Sequence, residues 1–447
     1  MARQRITRRS FLQTMAASSA ALALTASRPA WAVDANSKLN VATVGCGGMG
    51  WGDLNQISSS PHVNIVALCD VDESANHLGR AAEKFPHAKK FTDWRRLLDE
   101  AKGFDAVQVS TPDHMHAPIV MAALLLGKHV YSQKPLTHTV LEARRLTEAA
   151  KKAGVVTQMG NQIQSYVEYR SAVRLIQDGA IGKVKEVFSW QAGSPTWPRD
   201  IDRPEGADPV PDTLHWNEWL GAAPERPFKS KIYHSFNWRG WRDFSNGQLG
   251  DFGCHILDPV SMALRLGAPL TIRADAPPIK PDTWTKSATV AYQFPKTEFT
   301  AGSTINVTWF DGDGKYPPSE PLGLPAGFKL PGSGSVLIGE KGSLLVPHVG
   351  GPKLFPEDRF KDYAMPTLEP MNHYISWVNA CRGEGKTGSH YGYSGPLTEA
   401  VLLGTIAIRL PSETLHWNAA EMKIAGSPKA EAMLSKPYRK GWEIPGV

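Results

Sequence analysis

Three stretches of this chain hold residues whose types and spacing could do chemistry. Gly45-Cys46-Gly47-Gly48-Met49-Gly50 is a G-x-G-x-x-G set directly after an apolar run and ahead of a helical pattern. There the first glycine allows a tight turn and the second lets backbone approach a pyrophosphate. The third lets helix pack close to strand, and the helix N-terminus offers its amides to phosphates. Asp70 ends the next apolar run, where a carboxylate accepts from an adenosine ribose 2′-hydroxyl and repels a 2′-phosphate. The implied cofactor is NAD rather than NADP. Asp251, His255 and Asp258 stand at i, i+4 and i+7, within about 60° of one another on a helix. A histidine oriented by a carboxylate suits removal of a hydroxyl proton while hydride leaves for a nicotinamide. A solvated helix face has the same pattern, and spacing leaves both readings open. Trp197, Trp216, Trp219, Trp238 and Trp241 fall together with Tyr233, His234, Phe236, Asn237 and Arg239. Such aromatic faces with interleaved polar groups suit a sugar, and equally suit the packing of an irregular loop.

The elements that must position these residues come in two styles. Strand patterns at 39–44, 63–69, near Lys90, 105–109, 129–132 and 155–159 alternate with helical ones at 75–85, 93–101, 118–126 and 139–153. That rhythm predicts a parallel, doubly wound α/β sheet over 33–160, a Rossmann domain. Beyond Gly160 a helix at 167–178 and a strand at 183–191 precede the Trp- and Pro-rich segment 193–246. Strands at 271–275, 287–294, 298–308, 335–338 and 343–346 follow, then helices at 371–381 and 397–409. This reads as an α+β domain, 161–447, with a large and mostly antiparallel open sheet.

Two further motifs carry a family resemblance. Ser110-Thr111-Pro112-Asp113-His114-Met115-His116 follows a strand, and Gly127-Lys128-His129-Val130-Tyr131-Ser132-Gln133-Lys134-Pro135 comes soon after. With the glycine loop and the stretch Gly247 to Asp258, they resemble the signature of the Gfo/Idh/MocA oxidoreductases over nearly the whole chain beyond residue 32. The resemblance implies substrate bound between the second sheet and a nicotinamide. It makes Lys134 the catalytic lysine and His255 the proton-transferring histidine. Asp251 and Asp258 become acids that orient His255 or bind substrate hydroxyls. The implied cofactor contacts are Gly45, Cys46, Gly47, Gly48, Met49, Gly50, Asp70, Thr111, Pro112, His116, Gln133, Lys134 and Asn161. Gln162, Trp238 and Arg239 join Asp258 as expected substrate neighbours. The usual Glu-Lys-Pro of the family is here Gln133-Lys134-Pro135, so a neutral amide stands where a negative charge is expected beside the lysine.

Other features bound the function. Thr7-Arg8-Arg9-Ser10-Phe11-Leu12-Gln13, a short apolar run and Ala30-Trp31-Ala32 have the order of a twin-arginine signal peptide, residues 1–32. The apolar run is too short to span a bilayer, so membrane insertion is not expected. Removing it takes five of the 49 basic residues and none of the 43 acidic ones, which leaves a near-neutral chain. Nucleic acid is therefore not an expected partner. The four cysteines form no CxxC pair and read as free thiols. His114 and His116 have no third ligand at suitable spacing, so no metal is expected.

The expected function is an NAD-dependent oxidoreductase acting on a secondary alcohol of a carbohydrate or polyol. Export to the periplasm would require the cofactor to stay bound. A redox-neutral, NAD-dependent glycoside hydrolase is the alternative, and a non-catalytic sugar-binding protein that keeps NAD is the third reading. The resemblance also implies a homo-oligomer, dimer or tetramer, formed through the open face of the second sheet.

Overall fold

The computed structural model describes residues 38–193 and 195–447; the signal segment lies outside the described residues. Strands β1 (Leu39–Val44), β2 (Val63–Cys69), β3 (Lys89–Phe91), β4 (Ala106–Val109), β5 (His129–Ser132) and β6 (Thr157–Met159) form one parallel sheet. Its order is β3-β2-β1-β4-β5-β6. β4 and β5 are buried along their whole length, as expected where helices cover both faces. Strand order reverses between β1 and β4, and the crevice at their carboxyl ends is where such sheets bind ligands. Helix boundaries here follow local chemistry. Thr139 and Glu142 form a capping box at the start of helix Val140–Ala153, and left-handed Gly154 ends it.

The second sheet holds β7 (Val184–Gln191), β8 (Thr271–Asp275), β9 (Ser287–Pro295), β10 (Thr304–Gly312), β11 (Ser333–Gly339), β12 (Ser343–Pro347), β13 (Lys353–Phe355), β14 (Thr414–Asn418) and β15 (Lys423–Ala425). Its order is β13-β12-β11-β7-β10-β9-β8-β14-β15. All neighbours are antiparallel except β7 and β10. One face packs against helices Val167–Gln177, Gly247–Leu264 and Tyr391–Arg409. In β9 the residues Ala288, Val290, Tyr292 and Phe294 are buried, while Ser287, Thr289, Ala291 and Gln293 between them are not.

Two expectations shift. The strand expected at 298–308 begins only at Thr304, because the chain turns between β9 and β10, where Thr297 and Thr300 exchange hydrogen bonds. The helix expected at 397–409 begins at Tyr391 and accommodates Pro396. Helix His373–Cys381 lies far along the chain yet packs on helix Gly48–Ser58, with Tyr374 and Trp377 in one core with Leu54 and Ile57.

Candidate active site

A cleft of about 830 Å³ runs from the carboxyl ends of β1, β2 and β4 to helix Gly247–Leu264, roofed by residues of the Trp-rich segment. At one end lies the glycine loop. A Cβ on Gly50 would sit 2.2 Å from the Gly45 carbonyl oxygen, so the helix approaches the loop as closely as only glycine permits. Gly48, at the helix start, faces open space within the cleft wall. Asp70 pins the loop: one oxygen accepts from the Cys46 amide at 2.7 Å and the other from the Asp72 amide at 3.0 Å. Burial pushes its carboxyl above the usual range.

The segment 213–234 is laced across this end. The His215 amide donates to the Val71 carbonyl and the Glu73 amide to the Thr213 carbonyl, both at 2.8 Å. The His215 ring meets Glu73 at 2.8 Å. Asp72 Oδ2 lies 2.7 Å from His234 Nε2 and 3.2 Å from His77 Nδ1. Burial opposes a charge on Asp72, but its bonds to His234 and Ser74 and the nearby His77 hold it below the usual carboxylate range. The three side chains lie close enough to hold a cation, and both imidazoles reach the same Asp72 oxygen, which ties the segment to the loop after β2.

At the other end Lys134 Nζ donates to Asp251 Oδ1 at 2.5 Å and to its carbonyl at 2.8 Å. Arg239 Nε stands 3.7 Å from the same carboxylate. Burial works against the Asp251 charge, yet the two cations keep it below the usual range. One turn on, burial holds the His255 imidazole far below its ordinary pKa, and the charge of Lys134 adds to the effect. His255 is therefore a neutral base, and its Nδ1 has no hydrogen-bond partner among the described residues. Asp113 lines the same end; burial and then the Asp251 charge push it up to about 7.

The expected site residues divide. Gly45, Gly47, Gly48, Met49, Asp70, Thr111, Pro112, Gln133, Lys134, Gln162, Trp238, Arg239, Asp251 and His255 line the cleft. Cys46, Gly50, His116, Asn161 and Asp258 are not among its lining residues. Cys46 and Gly50 shape the loop from behind. His116 Nδ1 and Nε2 each lie 2.8 Å from a carbonyl, of Pro135 and Thr111. Burial lowers the ring to about 4, so one nitrogen donates and the ring sits wedged between the two lining loops. Asn161 is wholly buried. Asp258 is buried too, accepting from Gln164 at 3.0 Å and Tyr393 at 2.5 Å, and is a packing anchor in place of a substrate ligand. Asp251 pairs with Lys134, so the expected His–Asp orientation through Asp251 gives way to a Lys–Asp pair. The His114 ring faces the carbonyls of Trp219 and Leu220. All four cysteines are free and buried.

The aromatic segment serves both of its readings, and Trp219 and Trp238 belong to the packed cluster and to the cleft lining alike. Trp216, Trp219 and Trp241 pack with Phe228, Tyr233 and Phe244 in a core of their own. Trp197, Phe236 and Trp238 line the cleft with the Arg239 guanidinium among them, 4.4 Å from the Phe236 and Trp238 rings. Asp53 and Asp113 escaped the sequence reading; only the place of Asp113 inside a motif pointed to it.

The two domains and this cleft define a dinucleotide oxidoreductase. The chain belongs to the Gfo/Idh/MocA oxidoreductase family: residues 39–161 match its NAD-binding Rossmann fold and 166–306 its C-terminal α/β domain. A levoglucosan dehydrogenase of Pseudarthrobacter phenanthrenivorans is 28% identical over 179 residues, 40% of this chain and 37% of the relative. The NAD(+)-dependent scyllo-inositol 2-dehydrogenase of Bacillus subtilis is 27% identical, over 40% of this chain and 48% of its own. The chain thus matches less than half the length of either relative. The Bordetella pertussis WlbA dehydrogenase, solved with NADH and UDP-GlcNAcA, shares the fold with a TM-score of 0.59. Its identity is 17%, over 85% of this chain and 99% of that one.

NAD fits the residues present. The open face at Gly48 and the buried Thr111 Oγ1, which has no hydrogen-bond partner among the described residues, suit a polar ligand along the cleft floor. Asp70 keeps lone pairs for ribose hydroxyls beyond the amides it already accepts.

Proposed function

We propose that the protein is an NAD-dependent oxidoreductase acting on a secondary alcohol of a carbohydrate or polyol, with its cofactor retained between turnovers. The observation that carries this is the meeting of Lys134, its partner Asp251 and neutral His255 at one end of a dinucleotide cleft. Bound NAD supplies the hydride acceptor. Lys134 Nζ donates to the substrate oxygen and stabilises the negative charge that develops there. His255 takes the hydroxyl proton, a role for which its neutral form is ready. Asp251 holds Lys134 in place. Trp197 and Trp238 offer faces to the C–H side of a sugar ring, and Arg239 offers hydrogen bonds to its hydroxyls. The lacing of 213–234 over the glycine-loop end supports retention of the cofactor.

The test is purification of the full chain, assay of released nucleotide after denaturation, and a screen of polyols and anhydrosugars for NADH absorbance. The panel includes scyllo-inositol and levoglucosan, the substrates named in the two relatives. Reduction of NAD by at least one member is expected; a protein that neither carries nor reduces NAD sinks the proposal.

Export through the twin-arginine pathway and assembly through the open face of the second sheet belong to the same reading. Cleavage after Ala32, read from the mass of protein recovered in the periplasmic fraction, tests the first. Sedimentation velocity tests the second, with a dimer or tetramer expected.

A further inference from the structure

Gln133 breaks the family pattern, and a buried carboxylate stands directly behind it. Its amide nitrogen lies 3.0 and 2.8 Å from the two carboxylate oxygens of Asp53. Asp53 is wholly buried on helix Gly48–Ser58, one turn beyond the glycine loop. It also accepts from Ser110 Oγ at 2.7 Å and from the Tyr374 hydroxyl at 3.1 Å. Gln108 Nε2 donates to Ser110 Oγ at 3.1 Å, which leaves the serine proton free to point at Asp53. Every neighbour is thus a donor, the surroundings of an ionised carboxylate. Burial pushes Asp53 up to about 6, against the pull of those donors and of Lys134.

This arrangement fixes the orientation of the Gln133 amide. A flip would set its oxygen against a carboxylate, acceptor against acceptor. With its N–H groups committed to Asp53, the group Gln133 has left for the cleft is an acceptor oxygen. We propose that Asp53 and Gln133 act as a relocated glutamate: Gln133 presents the acceptor to a hydroxyl of the bound dinucleotide, and Asp53 supplies the negative charge. Asp53 is then a positioning residue, acting through Gln133. The inference rests on the NAD-dependent reading above.

Exchange of the two groups tests it. NAD affinity is measured by tryptophan quenching on full-length protein freed of bound nucleotide, for wild type, Asp53→Asn, Gln133→Glu and the double variant. Gln133→Glu sets two carboxylates against each other, so affinity falls by about 10-fold at pH 8 and recovers toward pH 5.5, where the pair shares a proton. Wild type shows no such recovery. Asp53→Asn loses the fixed flip and weakens binding by about 10-fold. The double variant restores acid and amide in exchanged places and binds within about 3-fold of wild type. Additive losses in the double variant overturn the proposal, as does a Gln133→Glu protein that binds like wild type at both pH values. If Asp53→Asn does not fold, the pH profile of Gln133→Glu decides alone. A wild type that binds no NAD overturns both this inference and the reading beneath it, whereas NAD binding without rescue overturns the inference only.

Discussion

The two ends of the cleft are built by opposite means. The glycine-loop end relies on backbone: amides held by Asp70, a helix start at Gly48, and a segment from the second domain laced to the loop after β2. There Asp72 with His77 and His234 ties protein to protein. The Lys134 end relies on side chains. Lys134, Asp251, Arg239, Asp113 and His255 converge there, and burial moves the carboxyl of Asp113 up and the imidazole of His255 down. Holding a ligand needs fixed groups, which here are backbone amides with the buried Asp70 carboxylate to set them. Moving a proton needs groups held in a chosen protonation state, and desolvation is how a fold sets it: it keeps His255 a neutral acceptor and raises Asp113 toward 7.

Substitutions can break this division of labour. The largest effect belongs to Lys134→Met: turnover falls by roughly 10³-fold while NAD affinity changes far less, read by steady-state rates and fluorescence titration. Equal losses in both would erase the distinction between the ends. Asp70→Ala should act the other way, lowering NAD affinity by about 10- to 100-fold through loss of a charged acceptor and of the loop anchor. Its preference for NAD over NADP should shrink as well. His234→Ala removes one side of the tie and should speed NAD release by about 5- to 10-fold in stopped-flow displacement. A release rate equal to wild type would show that the lacing does not retain cofactor.

The smallest effect concerns Asp258, which sits behind the cleft. Burial raises its carboxyl to about 7. The fold therefore favours its neutral form, a contribution complete below the unfolded value of about 4 and lost as pH rises through 7. Asn cannot ionise, so Asp258→Asn should gain a few degrees of melting temperature on wild type between pH 5 and pH 8. Parallel melting curves for the two proteins across that range would remove Asp258 from the account.

The sequence was most legible where one local pattern decides the structure. Apolar runs mark β1, β2 and β5, and the glycine loop with Asp70 marks one end of the cleft. The helix stripe of Asp251 and His255 was also visible, since i and i+4 must share a face. What the stripe could not show was the partner of Asp251, because Lys134 lies 117 residues away in the chain. Asp53 was hidden for the same reason: its partners Ser110, Gln133 and Tyr374 are 57, 80 and 321 residues distant. Read along the chain it is an ordinary helix carboxylate. The short outer strands β13, β14 and β15 were missed since three to five residues carry too little alternation to register.

The lacing of 213–234 onto the loop after β2 also bears on the order of assembly. That segment lies in the second domain, so it is synthesised after the glycine loop and Asp70 over which it lies. A nucleotide seated before closure is enclosed by later folding. If the cofactor is retained as proposed, the nucleotide content of each molecule would reflect what surrounded the chain at its synthesis.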